Sequence, residues 1–101
     1  MYLTTIKKDG QIIAIRHFEY FENAMAYVAD HEAFDDIPDE IINAMGEWGS
    51  PKIYCHSINE ETQLADDFEF KYPCGIIIYI GKIMTEEEKM IAAKERADAR
   101  R

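Results

Sequence analysis

The hydrophobic and polar positions of the chain change their spacing along its length, and the first pattern predicts a β-hairpin. Residues Tyr2–Phe18 alternate around Asp9-Gly10, a dipeptide that favours a two-residue type I′ turn because both central residues of that turn have a positive φ. Such a turn fixes the register of the strands and places Ile6 opposite Ile13 on the more apolar side. We therefore predict a hairpin over Tyr2–Phe18, with that side facing the core.

Two helices are predicted after the hairpin. Over Glu19–His31, apolar residues recur at three- and four-residue spacing, as they do on one face of an amphipathic helix. A second, shorter helix is predicted over Pro38–Met45, because proline fits a first helical turn, with Asp36 or Ile37 as its N-cap. Gly46 is a suitable stop for this helix.

Three strands are predicted in the second half of the chain. Lys52–Ile58 and Asp67–Tyr72 each alternate between two faces, and a polar loop over Asn59–Asp66 joins them. The turn Tyr72-Pro73-Cys74-Gly75 leads into Ile76–Ile83, which begins with five apolar residues. An apolar strand of this kind is usually central and covered on both faces, and we expect the three strands to form a meander.

A capping box begins the last predicted element. In Thr85-Glu86-Glu87-Glu88, the threonine hydroxyl accepts from the helix amides and Glu88 reaches back to the cap, which predicts a helix from Glu86 to near the C-terminus. The element order ββααβββα predicts a single compact α+β domain over residues 1–101. We expect a largely antiparallel sheet of about five strands, two central helices and a C-terminal helix. The hairpin either extends this sheet or stands apart from it.

The charge of the chain is strongly segregated along the sequence. The 101 residues carry a formal net charge of −9 at pH 7, yet Glu19–Glu69 holds fourteen acidic residues and a single base, Lys52. That segment has a net charge of −13, and the two flanking segments together have a net charge of +4. Like charges at this density repel one another and oppose a compact state. The segment is either a solubilising face or a surface for a basic partner, such as a protein whose groove normally holds nucleic-acid phosphates.

Several classes of protein are excluded or disfavoured by the sequence. The longest apolar run, Ile76–Ile80, is far too short to cross a bilayer. The first residues carry no basic and apolar export signal, and no basic footprint for nucleic acid is present. We expect a cytoplasmic protein without membrane contact and without direct binding to nucleic acid.

Cys55, His56 and Cys74 carry side chains suited to metal binding or nucleophilic catalysis. Their spacing argues against a zinc site, because no Cys-x-x-Cys or His-x-x-x-His pair is present and adjacent strand residues point to opposite faces. A disulfide between the two cysteines is possible across neighbouring strands, but free thiols suit a chain without an export signal. We expect no cofactor, no metal and no enzymatic activity. The alternative hypothesis is a small enzyme or metal-dependent domain that uses these three residues.

The chain is small, acidic and α+β without a catalytic signature, and in these respects it resembles phage-encoded anti-defence proteins. That class includes anti-CRISPR proteins and DNA mimics. Residues Ala44–Pro51, AMGEWGSP, are also similar to a segment of a small type I-F anti-CRISPR protein, with a one-residue insertion. The resemblance implies an inhibitor in the host-cell cytoplasm that occupies a basic nucleic-acid groove of a host defence complex with carboxylates.

The residues expected to contact such a partner lie around the second helix and in the loop before the fourth strand. Carboxylates there would stand in for phosphates, and Trp48 is either an exposed aromatic anchor or a core or boundary residue. The two predicted sets of carboxylates are Asp30, Glu32, Asp35, Asp36, Asp39 and Glu40, and then Glu60, Glu61, Asp66 and Asp67. A homodimer is a further possibility, in which the basic residues of the last helix, from Lys89 to Arg101, pair with the acidic segment of another copy.

Overall fold

The computed structural model describes residues 1–99, except for the side chains of residues 92 and 95–99. Arg100 and Arg101, at the basic end of the last predicted helix, lie outside the described residues. The elements follow the predicted order, with an additional 3-10 turn between the first two helices. They are β1 (Tyr2–Lys8), β2 (Gln11–Phe18), α1 (Phe21–Ala29), the 3-10 turn (Glu32–Asp36), α2 (Asp39–Met45), β3 (Lys52–Asn59), β4 (Leu64–Lys71), β5 (Ile76–Ile83) and α3 (Glu86–Ala99).

The five strands form one antiparallel sheet in the order β2-β1-β5-β4-β3. β3, β4 and β5 form the predicted meander, and the apolar strand β5 lies at the centre of the sheet. The hairpin joins this sheet because β1 pairs with β5, with Ile6 opposite Ile78. The fold is therefore the predicted α+β class.

The hairpin turn is confirmed, but its predicted register is wrong beyond the first pairs. Asp9 and Gly10 both have a positive φ, at 53° and 80°, as a type I′ turn requires. A β-bulge then shifts the pairing by one residue, so that Ile6 lies opposite Ala14 instead of Ile13. The bulge has a packing reason, since it allows Ile13 and Ala14 both to contact the core.

Both central helices are present with somewhat different ends. α1 begins two residues later than predicted and ends two residues earlier, and His31 behind it adopts a left-handed conformation with φ of 60°. The N-cap of α2 is Pro38, and the prediction of Asp36 or Ile37 is wrong. The Pro38 backbone is extended, and its carbonyl accepts the first amide hydrogen bonds of the helix. The helix ends at Gly46, where φ is 72°.

The hydrophobic core lies between one face of the sheet and the layer of α1, the 3-10 turn and α2. Aliphatic and aromatic side chains from β1, β4 and β5 meet α1 there, and Ile6 and Tyr27 are both buried in this cluster. α1 lies over β1 and β2. At the far edge of the sheet, β3 contributes no buried apolar residue to this cluster within the described part of the chain.

The opposite face of the sheet is partly covered by the loop between β3 and β4. Glu61 in this loop reaches Lys7 on β1 and Tyr79 on β5. The strand β4 begins at Leu64, three residues earlier than predicted, and a bulge interrupts its pairing with β5 after Ala65. β4 and β5 can lie close together here because Gly81 of β5 has no side chain. A Cβ at this position would lie 2.5 Å from the Cβ of Leu64 on β4.

α3 begins at the predicted capping box. The Glu88 amide donates to the Thr85 hydroxyl oxygen at 3.2 Å, and the Thr85 hydroxyl donates to the Glu88 carboxylate at 3.3 Å. Lys82 at the end of β5 forms an ion pair with the same carboxylate. Met90 and Ile91 on this helix are exposed. Among the described residues, no helix has the length and apolar character needed to span a membrane.

Candidate interaction surface

Six carboxylates lie on a continuous stretch of the helical layer, which we call the acidic segment. One follows the last turn of α1, three belong to the 3-10 turn, and two occupy the first turn of α2. All six residues are exposed: Asp30, Glu32, Asp35, Asp36, Asp39 and Glu40. The first predicted set therefore lies exposed along one continuous stretch of the helical layer.

The backbone of the acidic segment is anchored by apolar side chains. Ala33 and Ile37 are buried in the core. Phe34 stacks on Trp48 with ring centroids 3.8 Å apart, and Trp48 meets the ring of Tyr72 edge-on at 5.2 Å. The apolar positions of the segment therefore point inward, and its charged positions are held in solvent by a packed support.

Asp36 is the member of the acidic segment that has side-chain partners within the described part of the chain. Its Oδ2 accepts from Arg16 Nη1 at 3.1 Å and from the Tyr27 hydroxyl at 2.5 Å. Burial, assisted by the neighbouring Asp36 carboxylate, raises the pKa of Tyr27 well above its ordinary value, so this phenol stays protonated as a donor. The carboxylate of Asp36 is thus fixed by the fold.

For three of the other five carboxylates, the effect on folding follows from their position in a helix. Asp39 and Glu40 lie in the first turn of α2, where the helix dipole stabilises negative charge. Asp30 occupies the C-cap of α1, the negative end of that dipole, and the last turn of α1 contains no basic residue. Local helix electrostatics therefore account for Asp39 and Glu40 and oppose Asp30.

The second predicted set of carboxylates is not a uniform surface. Glu60 and Asp66 are exposed. Glu61 is exposed but forms a 2.6 Å ion pair with Lys7, and this hydrogen bond lowers the pKa of the Glu61 carboxyl. Asp67 is fully buried, so the prediction that its carboxylate is exposed to a partner is wrong. Asn59 and Thr62, at the start of the β3–β4 loop and within it, hydrogen-bond this carboxylate.

Asp67 is held in a hydrogen-bonded network under that loop. Its Oδ1 accepts from Asn59 Nδ2 at 2.9 Å, and its Oδ2 accepts from the Thr62 hydroxyl at 3.2 Å. The Oδ1 of Asn59 in turn accepts a hydrogen bond from the backbone amide of Glu61 at 3.0 Å. Burial raises the pKa of Asp67, whereas the two hydrogen bonds to its carboxylate act in the opposite direction. This network organises the loop.

Trp48 lies at the boundary of the core. It is half-buried, between Phe34 of the 3-10 turn and Tyr72 after β4. Of the two roles considered for this residue, the structure therefore supports that of a boundary residue that holds the acidic segment.

Cys55, His56 and Cys74 are not gathered into one site. Cys55 lies opposite Phe68 on the helix-facing side of β3, and His56 lies on the other side, 3.6 Å from the Glu69 carboxylate. Cys74 lies in the turn between β4 and β5. Both cysteines are free thiols, and the described residues contain no group of three or more histidine, cysteine or carboxylate side chains suited to a metal ion.

Sequence reasoning missed the residues that support these carboxylates. Arg16 and Tyr27 hold Asp36, and they come from a strand and a helix that only the tertiary structure brings together. Asn59 and Thr62 hold Asp67. Here a local signal exists, because an asparagine ahead of a polar tetrapeptide is typical of a turn in which the side chain accepts from the following backbone amides.

The fold and this surface define the class of protein as a small α+β domain that presents carboxylates on a packed helical layer. Comparisons with protein-family models, with curated proteins and with solved structures found no match to the chain.

Proposed function

We propose that the protein is a small acidic inhibitor that binds a basic, nucleic-acid-binding host defence factor through the acidic segment. The observation that carries the proposal is the set of five exposed carboxylates that have no ion-pair partner in the described part of the chain: Asp30, Glu32, Asp35, Asp39 and Glu40. Each carboxylate would take the place of a phosphate on the basic surface of the partner.

The cost of assembling these charges supports a binding role. Five carboxylates within eleven residues repel one another, and a cationic partner relieves that repulsion when it binds. A solubilising role needs net charge but does not need the charge to be concentrated. Asp30 adds to the argument, since its place at the C-cap of α1 is unfavourable for the helix.

Preorganisation is the second requirement for such an inhibitor. The acidic segment is anchored by Ala33 and Ile37 in the core and by the stacked rings of Phe34 and Trp48, so binding orders little additional backbone. The Ala44–Pro51 string, which resembles part of an anti-CRISPR protein, ends α2 and contains Trp48. It therefore belongs to the support of the same surface.

Affinity capture from a bacterial lysate tests the proposal. The immobilised protein is compared with the variant D35N/D39N/E40Q, and captured proteins are eluted with increasing salt. We expect capture of a basic nucleic-acid-binding protein at low salt, its release by moderate salt, and its loss in the variant. Added duplex DNA or RNA should displace the captured protein, because both ligands would occupy the same groove.

A matched variant controls for net charge. E19Q/E47Q/E87Q removes the same number of exposed carboxylates outside the acidic segment. We expect it to capture the partner as the wild type does, and both variants should unfold with the wild-type cooperativity. Capture that survives high salt and the D35N/D39N/E40Q changes, or a captured protein that binds nucleic acid at the same time, would contradict the proposal.

A further inference from the structure

The strand β3 forms an unprotected edge of the sheet. It pairs with β4 on one side, and in the described part of the chain its other side has no backbone partner. Natural edge strands are usually protected by proline, by a central charged residue or by a bulge. The eight residues Lys52–Asn59 contain no proline, carry their lysine at the first position, and pair with β4 without a register shift.

The helix-facing side of this strand is also bare. The helical layer covers the centre of the sheet and the β1–β2 side, and it leaves Ile53 58 % exposed and Cys55 exposed. On the other side of the same strand, Tyr54 is 44 % exposed. Apolar side chains on both sides of an open edge favour burial against another strand.

The two ends of the edge carry opposite charges. At the start of β3, Lys52 lies directly opposite Lys71 of β4, and neither lysine has an ion-pair partner among the described residues. Like charges in that position are unfavourable. At the end of β3, the chain continues into the exposed residue Glu60, whose neighbour Glu61 is already paired with Lys7. An antiparallel strand of the same sequence would bring the basic end of one copy against the acidic end of the other.

We propose that two copies of the chain pair through β3, antiparallel and about a two-fold axis, to form one continuous ten-stranded sheet. The axis passes Cys55, so that Cys55 faces Cys55 of the second copy and Ile53 faces Ser57 of the second copy. Lys52 then faces Ile58 of the second copy and lies next to its Glu60.

Two observations restrict the register. Side chains of paired residues must lie on the same side of the sheet, which restricts the two-fold axis to a position at a residue. Moving the axis one residue further would require Asn59 to pair outward, but its side chain is buried against Asp67 and its carbonyl accepts the Gln63 amide at 2.7 Å. The axis at Cys55 uses residues 52–58 and leaves this network intact.

The proposed dimer does not depend on the proposed function. Glu40, at the end of the acidic segment, lines a cavity with Lys8, Asp9 and Gln11 of the β1–β2 hairpin. The hairpin lies at the opposite edge of the sheet from β3. Dimerisation through β3 therefore leaves that part of the helical layer open.

Sedimentation velocity over a range of protein concentrations, on the wild type and charge variants, tests the pairing. We expect a concentration-dependent dimer whose dissociation constant rises about two- to thirtyfold in K52E, since a cross-strand charge pair is broken twice across the axis. K52E/E60K should recover most of the affinity. K94E, a matched change on the exposed face of α3, should leave it unchanged. A monomer at every concentration, or a dimer that K94E weakens and K52E does not, would overturn the proposal.

Cysteine cross-linking tests the register by a route that does not rely on charge. Facing residues of antiparallel strands lie at a Cα separation that a disulfide can span. With copper phenanthroline as the oxidant, two Cys55 thiols should lose two electrons and two protons and form an intermolecular disulfide. The cross-linked dimer should persist in C74S and be absent in C55S. Cross-linking through Cys74 alone would exclude the proposed register.

Discussion

Replacing Asp67 by asparagine tests how the fold tolerates a fully buried carboxylate. Burial raises the pKa of Asp67 above its ordinary value of 3.8. Below pH 3.8 the folded and unfolded chains both hold this proton, and above the raised pKa both have lost it. In the interval between, the folded chain binds more protons, so the free energy of unfolding falls as the pH rises through that interval.

The structure indicates the size of the effect. Asparagine keeps an acceptor for Asn59 at 2.9 Å, and its amide can donate to the Thr62 hydroxyl oxygen now at 3.2 Å from Asp67. At pH 3 the variant should therefore match the wild type to within about 0.5 kcal/mol. At pH 7 it should be the more stable protein, by about 1.4 kcal/mol for each pH unit by which the folded pKa exceeds 3.8. Asp67→Ala loses both hydrogen bonds and should cost about 1–3 kcal/mol.

Urea unfolding at several pH values between 3 and 7 measures this difference. Only the difference between wild type and variant is compared, because other carboxylates also titrate and Glu61 contributes with the opposite sign. Asp66→Asn provides the matched control, since that neighbour is exposed and asparagine tolerates its positive φ of 48°. A difference between D67N and wild type that stays constant from pH 3 to pH 7 would refute the reasoning.

Three further substitutions test separate parts of the structure. Gly81→Ala would place a Cβ 2.5 Å from the Cβ of Leu64, and we expect the free energy of unfolding in urea to fall by about 1–3 kcal/mol. A variant as stable as the wild type would show that β4 can move away. Tyr27→Phe removes the hydrogen bond to Asp36 and should lower the unfolding free energy by about 1 kcal/mol; an unchanged value would mean that Arg16 alone fixes that carboxylate. Asp30→Asn removes a negative charge from the C-cap of α1 and should stabilise the protein by about 0.3 kcal/mol or more at low salt, while it weakens partner capture. A variant that is destabilised would contradict the assignment of Asp30 to binding.

The order of the elements could be predicted because local signals mark most of their boundaries. Asp9-Gly10 and the turn after Tyr72 each have one favourable backbone solution, and the apolar strand β5 suits a central position. The bulge at Ile13 could not be predicted from the turn, since it depends on what β2 meets across the core. The same holds for the N-cap of α2, which is Pro38 because Asp36 and Ile37 form the end of the preceding 3-10 turn.

The candidate surface could be predicted only in part. Exposure of the acidic segment follows from the alternation of its charges with Ala33 and Ile37, both of which are buried. The fate of Asp67 does not follow from its pattern, because strand alternation places it on a polar face that a strand normally exposes. The β3–β4 loop, which directly precedes this strand, folds back over that face, and a contact of this kind leaves no periodic signal in the sequence.

The stack of Trp48 on Phe34 gives the protein a built-in optical reporter. Trp48 is the single tryptophan of the chain, and its indole ring lies 3.8 Å from a ring in the 3-10 turn that carries three of the carboxylates. The emission of this fluorophore depends on that contact and on its partial shelter from water. A ligand that pulls or orders the turn should therefore change the emission wavelength or lifetime, so that binding at the acidic segment can be followed without a label.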